Sequence, residues 1–396
     1  MKVETKDSNN KLLAFFIVIS IIIFSETNVT LLKNFNSNLI YYLFFLLVCL
    51  FFFNKNKVLT GVKRNKLLTF FFVYLLLINF WSINPYSSFN SILALILLYI
   101  FSILITESLK YESFMKILLI AFLILFLIEI IYVLGGWGGV HVGDKFSGAW
   151  KGLHGQKNRL GIFATLGFLV GVTLIINRIK LLYSITLLNI SIILVVLSQS
   201  KTALFLCILT IFFFVVYYIY ISNKVIFLSS FFFFLSGIGL LVFFYINFLD
   251  KITSLDFSLT GRTDIWSAII EIGSEKLFIG YGFNAFWYSD YINIFINKVG
   301  FITTSSHNGF LELFLDTGLL GLSIIISIIF LYMYTILKKI SLNSDLRSFW
   351  FFIYIVIIVL YNFSESLLFN ENHTITLILF VTLLYIKKEP NKNRRN

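Results

Sequence analysis

Charge is what this chain most lacks. Only 13% of its 396 residues are Asp, Glu, Lys or Arg, against ~25% in an average soluble protein. With 59% hydrophobic residues there is too little polar surface to face water, which excludes an ordinary soluble domain. Cysteine is nearly absent: Cys49 and Cys207 both fall inside apolar runs, so neither a disulfide framework nor a cysteine-based metal site is available. Proline is as scarce, and Pro85 and Pro390 both lie away from helix centres. No pair of Gly- or Pro-broken apolar segments marks an inverted repeat, the usual pointer to a secondary transporter's midplane site. An Asp-x-Asp pair for a divalent cation is missing as well.

What remains is apolar runs, each near the ~20 residues that cross a bilayer. Twelve are legible, at about 12–25, 39–53, 67–83, 91–106, 114–134, 159–177, 181–199, 202–222, 225–247, 310–336, 349–363 and 373–386. They predict an all-α polytopic membrane protein, one transmembrane domain over residues 1–396, with the lipid bilayer as its solvent. The first run follows Lys2, Lys6 and Lys11 like the opening of a signal peptide, but no small-residue cleavage site follows it, so it reads as a retained first helix.

The net charge of +12 invites a nucleic-acid reading, which the placement of the charges argues against. With the N-terminus in the cytoplasm, 21 of the 31 Lys and Arg residues fall in cytoplasmic segments and 10 outside. This bias is the positive-inside pattern, and it places both termini in the cytoplasm.

Three external segments stand out. One is the Gly-rich stretch from Gly135 to Asn158, ending His154-Gly155-Gln156-Lys157-Asn158-Arg159. Another is the junction Ser198-Gln199-Ser200-Lys201-Thr202. The longest is the loop 248–309 between the ninth and tenth spans. Within that loop, Thr263 or Asp264 suits a helix N-cap. Ile265, Trp266, Ile269 and Ile270 then recur at helical spacing, predicting a short amphipathic helix at the membrane interface. Gly280-Tyr281-Gly282 reads as a tight turn leading into Phe286-Trp287-Tyr288. An interfacial anchor with an aromatic belt accounts for the same pattern.

The loop closes on Ser305-Ser306-His307-Asn308-Gly309, where the sequence turns back into apolar helix. Of the four histidines, His141 and His154 lack metal-ligand spacing and His373 has no evident partner. His307 differs because hydroxyl residues precede it and Asn308 follows it. Glu312 and Asp316, four residues apart, share one face of the helix it opens. Ionisable groups at membrane depth are costly and point to function. Lys157, Lys201 and Arg262 sit at helix ends beside Gly, Ser or Asn, a setting suited to a phosphate or diphosphate.

Together these residues resemble a family. Ser306-His307-Asn308 followed by Glu312, Gly318, Leu319, Gly321 and Leu322 is similar to the signature helix of the O-antigen ligase/polymerase superfamily. Gly261-Arg262 with Trp266, Gly280-Tyr281-Gly282 and the 198–202 junction fit in order and spacing, and 154–161 resembles the exopolysaccharide-polymerase branch. The resemblance covers about residues 150–325. It implies a GT-C-like fold and a metal-independent, inverting glycosyltransferase of the bacterial plasma membrane with no cofactor. Its donor would be an oligosaccharide on undecaprenyl diphosphate, handled at the extracytoplasmic face. Carried over, His307 activates the acceptor hydroxyl and Arg262 holds the diphosphate. Lys201 stands where an Arg is usual and keeps the charge without the bidentate fork. Lys157 or Arg159 supplies the missing contact, and Asn308 and Glu312 join the substrate-binding set. The leading reading is a polymerase of lipid-linked repeat units, served by a flippase and a chain-length regulator. A ligase that moves the glycan to another acceptor shares the chemistry. A flippase would instead line the bundle with cations and break its helices near the midplane.

Overall fold

The computed structural model describes residues 2–23, 25, 48, 52, 54–143, 146–222, 262–301, 303–343, 346–370 and 374–388. Several features singled out in the sequence lie outside these residues: nearly all of the span 39–53, the span 225–247, the loop from 248 to 261, Cys49, Lys33, Lys145, Lys251 and His373.

The described residues fold as helices: α1 (Lys2–Ile23), α2 (Lys55–Arg64), α3 (Lys66–Ile78), α4 (Pro85–Ser108), α5 (Tyr111–Leu134), α6 (Lys157–Ile176), α7 (Leu181–Ser198), α8 (Lys201–Ser222), α9 (Arg262–Glu275), α10 (Tyr291–Val299), α11 (Gly309–Asn343), α12 (Leu346–Tyr361) and α13 (Thr374–Lys387). No strand forms among them; one isolated bridge pairs Val140 with Trp150. Six helices (α4 to α8 and α11) are long and apolar enough to cross a membrane, and shorter apolar helices coincide with α1, α3, α12 and α13. This all-helical, multi-span architecture is that of a polytopic membrane protein.

Local sequence sets the helix ends. The Asn84 side chain accepts from Ser87 N at 3.2 Å and Pro85 occupies the first turn of α4, where its missing N–H costs nothing. Small residues let α6 approach its neighbours: a Cβ on Gly161 would lie 2.8 Å from the Cβ atoms of Ala203 and Ser200. That approach brings the start of α6 to the start of α8, where Ser200 Oγ donates to Asn158 Oδ1 at 3.1 Å. Lys339 near the end of α11 and Arg347 at the start of α12 donate to the carbonyls of Ile386 (2.5 Å) and Tyr385 (3.0 Å), capping carbonyls at the C-terminus of α13.

Two features depart from the sequence reading. The span 310–336, expected as one helix, is broken at Gly318, whose φ of 65° and ψ of −170° are non-helical. About 14 Å of helix precedes the break, at ~1.5 Å per residue. Groups from elsewhere in the chain take up backbone donors and acceptors on both sides of the break. Tyr281 N donates to Leu315 O and Gly282 N to Asp316 O, both at 2.9 Å. Tyr74 OH donates to Thr317 O at 2.7 Å. Leu319 N and Leu320 N donate in turn to Leu277 O (2.8 Å) and Phe278 O (3.2 Å). The segment 277–282 is thereby threaded into the helix, and a Cβ at 318 would meet Phe278 C and O at 2.3 Å. Only glycine combines this φ with this approach.

The second departure concerns α9. It starts at Arg262, so Thr263 and Asp264 lie in its first turn, where Asp264 suits the helix dipole. Of the apolar stripe expected at the membrane interface, Ile265 and Ile269 are buried, with Ala268 and Ile272, against Tyr281, Phe286, Trp287, Phe295 and Leu315 in a small separate core; Trp266 is partly buried against it and Ile270 is 54% exposed. Trp287 and Phe286 are buried, whereas Tyr288 is exposed.

Candidate active site

The site is built on the turn that precedes α11. His307 has a left-handed φ of 51°, a strained conformation for a residue with a side chain. Hydrogen bonds on both sides hold it there. Ser305 Oγ accepts from His307 N (3.2 Å), and Asn308 N donates to Ser306 Oγ (3.1 Å) and Ser366 Oγ (3.0 Å). Asn308 is the N-cap of α11, its Oδ1 accepting from Phe310 N (3.0 Å) and Leu311 N (3.2 Å). Glu312 reaches back to take Ser306 N at 2.9 Å, closing the turn, and also accepts from Trp287 Nε1. Trp266 Nε1 donates to Ser306 O at 3.0 Å, tying α9 to the same turn. Asn308 and Glu312, expected among the substrate-binding residues, therefore both brace the backbone that carries His307.

The side chain facing the imidazole is one the sequence reading did not name. Glu365 lies in the short connection between α12 and α13. Its Oε2 stands 3.4 Å from His307 Nδ1, and its Oε1 accepts from Asn158 Nδ2 (3.0 Å) and Arg262 Nη2 (3.2 Å). Arg262 also donates through Nη1 to Ser364 O at 2.6 Å, fixing the connection itself. Burial disfavours the charged carboxyl. The hydrogen bond and charge of His307, the Asn158 amide and the Arg262 guanidinium outweigh it, and hold Glu365 below the ordinary carboxylate range. The neutral tautomer that donates Nδ1–H to an ionised Glu365 is the one that carries its lone pair on Nε2. The signal for Glu365 was a carboxylate in a polar break between two apolar runs, Asn362-Phe363-Ser364-Glu365-Ser366.

Two cavities meet here. The first, about 200 Å³, is lined by Gln156, Arg159, Thr303, Thr304, Ser305, His307, Glu365, Ser366 and Leu367. The second, about 320 Å³, shares Arg159, Thr304, Ser305 and Ser366 with it and extends past Glu312 to Asp316. Glu312 and Asp316 line one wall, as their spacing on one helix face implied. Arg159 is the cation common to both cavities, whereas neither lining includes Arg262, Lys157 or Lys201. Arg262 reaches the site through Glu365. Lys157 lies 3.9 Å above the Phe146 ring and donates to Gln199 O at 3.4 Å, beside the exposed Lys201 at the start of α8.

His154 belongs elsewhere. It is fully buried, stacked on Phe163 at 4.6 Å, with Nε2 3.1 Å from Glu129 Oε1 and Nδ1 2.5 Å from Ser25 O. The pair joins α5 to the chain just ahead of α6. Among the described residues no three His, Cys, Asp or Glu side chains gather where they could hold a metal ion.

A comparison with curated proteins finds none that matches the chain. Residues 186–326, which run from α7 through the break in α11 and carry Lys201, Arg262, His307, Asn308 and Glu312, match the family model described as O-antigen ligase, bearing out the resemblance to the O-antigen ligase/polymerase superfamily.

Proposed function

We propose that this protein is a glycosyltransferase that joins oligosaccharide units carried on undecaprenyl diphosphate, at the extracytoplasmic face of the bacterial plasma membrane. The observation that carries this reading is His307, which faces a polar cavity with Nδ1 turned to a buried carboxylate and Arg159 on the same wall. An imidazole oriented by a carboxylate is a general base of suitable strength near neutral pH. Nε2 takes the proton from an acceptor hydroxyl as its oxygen attacks the anomeric carbon of the donor. The bond from that carbon to the diphosphate oxygen breaks, and the lipid diphosphate leaves with the bonding pair. Arg159 stabilises the charge that develops on it, through a fork matched to phosphate oxygens. Attack opposite the leaving group inverts the anomeric centre. No metal is needed for any of these steps.

In this reading Arg262 keeps Glu365 charged and in place, and Lys157 and Lys201 give positive potential at the approach to the cavity. Polymerase and ligase share all of this chemistry and differ in the acceptor. We favour the polymerase, in which a second lipid-linked oligosaccharide is the acceptor, because the 154–161 segment resembles the exopolysaccharide-polymerase branch. The helix break at Gly318 is one mark of a flippase; we disfavour that reading on the other mark, because Arg159, the cation in the lining of both described cavities, lies beside His307 and Glu365. The experiment is to incubate purified protein in detergent with undecaprenyl-diphosphate oligosaccharide. Lipid-linked products lengthened by whole repeat units support the polymerase. Products formed only when another acceptor is added support the ligase, and no transfer under either condition overturns the reading.

A further inference from the structure

The transfer reaction leaves unused a cluster of cations at the other end of the bundle. Arg347 starts α12 and Glu365 follows its last turn, so about 24 Å of helix, at ~1.5 Å per residue, separates the cluster from the His307 turn. We propose that the last turn of α4, with the cations gathered on it, binds the phosphodiester headgroup of an anionic phospholipid, on the side that the charge bias assigns to the cytoplasm.

Three consecutive residues of α4 each hold a different cation. Thr106 O accepts from Lys388 Nζ, Glu107 Oε1 pairs with Arg64 Nη1 at 2.6 Å, and Ser108 Oγ accepts from Lys57 Nζ at 2.9 Å. Arg347 joins them from α12. Its guanidinium lies 5.4 Å from the centre of the Tyr111 ring and 5.3 Å from that of Tyr385, and Nη2 donates to Tyr385 O at 3.0 Å. Tyr385 OH donates in turn to Leu109 O at 3.2 Å, tying α13 to the residue that follows α4.

Every one of these cations has an acceptor, and it is their charge that is out of balance. Apart from Glu107, the acceptors just named are a hydroxyl and two backbone carbonyls, all neutral. Four positive charges stand against this one carboxylate and the C-terminal dipoles of α4 and α13, about half a charge each. Roughly two positive charges are left over, which suits an anion of one or two charges. Asp345 and residues 389–396 lie outside the described residues, and their three cationic and two acidic side chains leave the balance positive. Lys388 registers the surplus. Burial, with the repulsion of Arg64, Arg347 and Lys57, outweighs Glu107 and holds its ammonium below the ordinary lysine range.

Membrane topology does not require this grouping. Cations in free solvent satisfy the positive-inside bias, and Lys63, Lys66, Lys110 and Lys116 are exposed in that way. Lys57, Arg64, Arg347 and Lys388 are instead partly buried and drawn together from α2, α12 and the end of α13. Lipid is favoured over a free anion because α2 is a short basic amphipathic helix. It packs so closely on α4 that a Cβ on Gly61 would lie 2.5 Å from Ile103 Cγ2, and it leaves Leu59 43% exposed beside its lysines. Charged and apolar groups at one level match the boundary between headgroup and acyl chain. Basic sites between membrane helices on this side bind such headgroups, with the arginine fork matched to phosphate oxygens.

Thermal unfolding of the full-length protein in neutral detergent tests the proposal, with phosphatidylglycerol, phosphatidylcholine and inorganic phosphate as probes. Phosphatidylglycerol should raise Tm by several degrees and saturate, while the other two leave it unchanged. Lys57→Gln combined with Lys388→Gln should raise the lipid concentration at half effect about tenfold. Lys63→Gln combined with Lys116→Gln, which removes two exposed cations, should not alter it. Glu107→Gln loses the Arg64 pair and should start from a lower Tm, yet bind phosphatidylglycerol severalfold more tightly because the surplus grows. If the Lys57 and Lys388 variant does not fold, Glu107→Gln decides alone. No rise with phosphatidylglycerol, an equal rise with phosphatidylcholine, a rise with phosphate alone, equal weakening in both lysine pairs, or weaker binding in Glu107→Gln overturns the site. None of these readouts involves glycan transfer, so the site and the reaction fail separately.

Discussion

Nδ1 of His307 lies 3.4 Å from Oε2 of Glu365, 58 residues further along the chain, while the other oxygen of that carboxylate is held by Arg262 and Asn158. The two oxygens thus divide their work. One orients the imidazole, and the other ties the connection between α12 and α13 to α9 and α6. Three other elements converge on one carboxylate that is 8% exposed.

Replacing Glu365 by Gln preserves shape and inverts the hydrogen-bond logic. The amide NH2 donates to Nδ1, which moves the proton to Nε2 and removes the base. We expect kcat to fall by ~10²–10⁴, the usual contribution of general base catalysis, with KM for the lipid-linked donor changing much less. Steady-state kinetics on purified Glu365→Gln would check this, and a kcat within a factor of three of wild type would count against it.

Acidification should act through the same residue. The folded-state pKa of Glu365 is lowered, so its stabilisation is fully present above the ordinary carboxylate range and is lost as pH falls through the lowered value. Thermal unfolding in detergent should therefore show a loss of Tm on the acid side of that range. Glu365→Gln should flatten this limb while lying below wild type at neutral pH. An acid limb of equal steepness in the variant would contradict the assignment.

Gly318→Ala places a Cβ 2.3 Å from the backbone of Phe278 at a φ of 65°. The strain alone is of order 1–3 kcal/mol, and relieving the clash separates the 277–282 segment from α11. We expect a lowered Tm, or failure to recover folded protein, together with loss of transfer. An unchanged Tm would show that the break is not held as described.

Arg159→Lys keeps the charge at the wall between the cavities and loses the fork. Its KM for the donor should rise moderately and that of Arg159→Ala by ~10–100-fold, the loss of one charge-assisted hydrogen bond. Titrating donor in the transfer assay distinguishes this from Lys201→Ala. Lys201 is exposed at the start of α8, and its replacement should act mainly on the salt dependence of donor capture.

Much of this was legible in the sequence. Apolar runs announced the helices, and the Ser-Ser-His-Asn turn announced the candidate base, because composition and local turn chemistry depend on near neighbours. What stayed hidden was long-range. Glu365 was passed over because the reading followed cations on the external side, and the break between the last two spans contains none. Its value comes from meeting His307 and Arg262 across 58 and 103 positions. Arg159 was one candidate among several cations until the packing of α6 placed it between two cavities. The break at Gly318 escaped notice because a lone glycine in an apolar helix is usually tolerated. Only the docking of 277–282 turns it into a discontinuity. The stripe on α9 illustrates the same limit: periodicity shows that a face is apolar and leaves open what covers it.

The central claim is that Nε2 of His307 takes the acceptor proton. Its most direct measurement is the single-turnover rate of glycan transfer from undecaprenyl-diphosphate oligosaccharide by purified wild type and by His307→Ala, at saturating donor and matched folded protein. The account predicts a fall of at least ~10²-fold in the variant, with donor binding retained. Equal rates in the two proteins would contradict it.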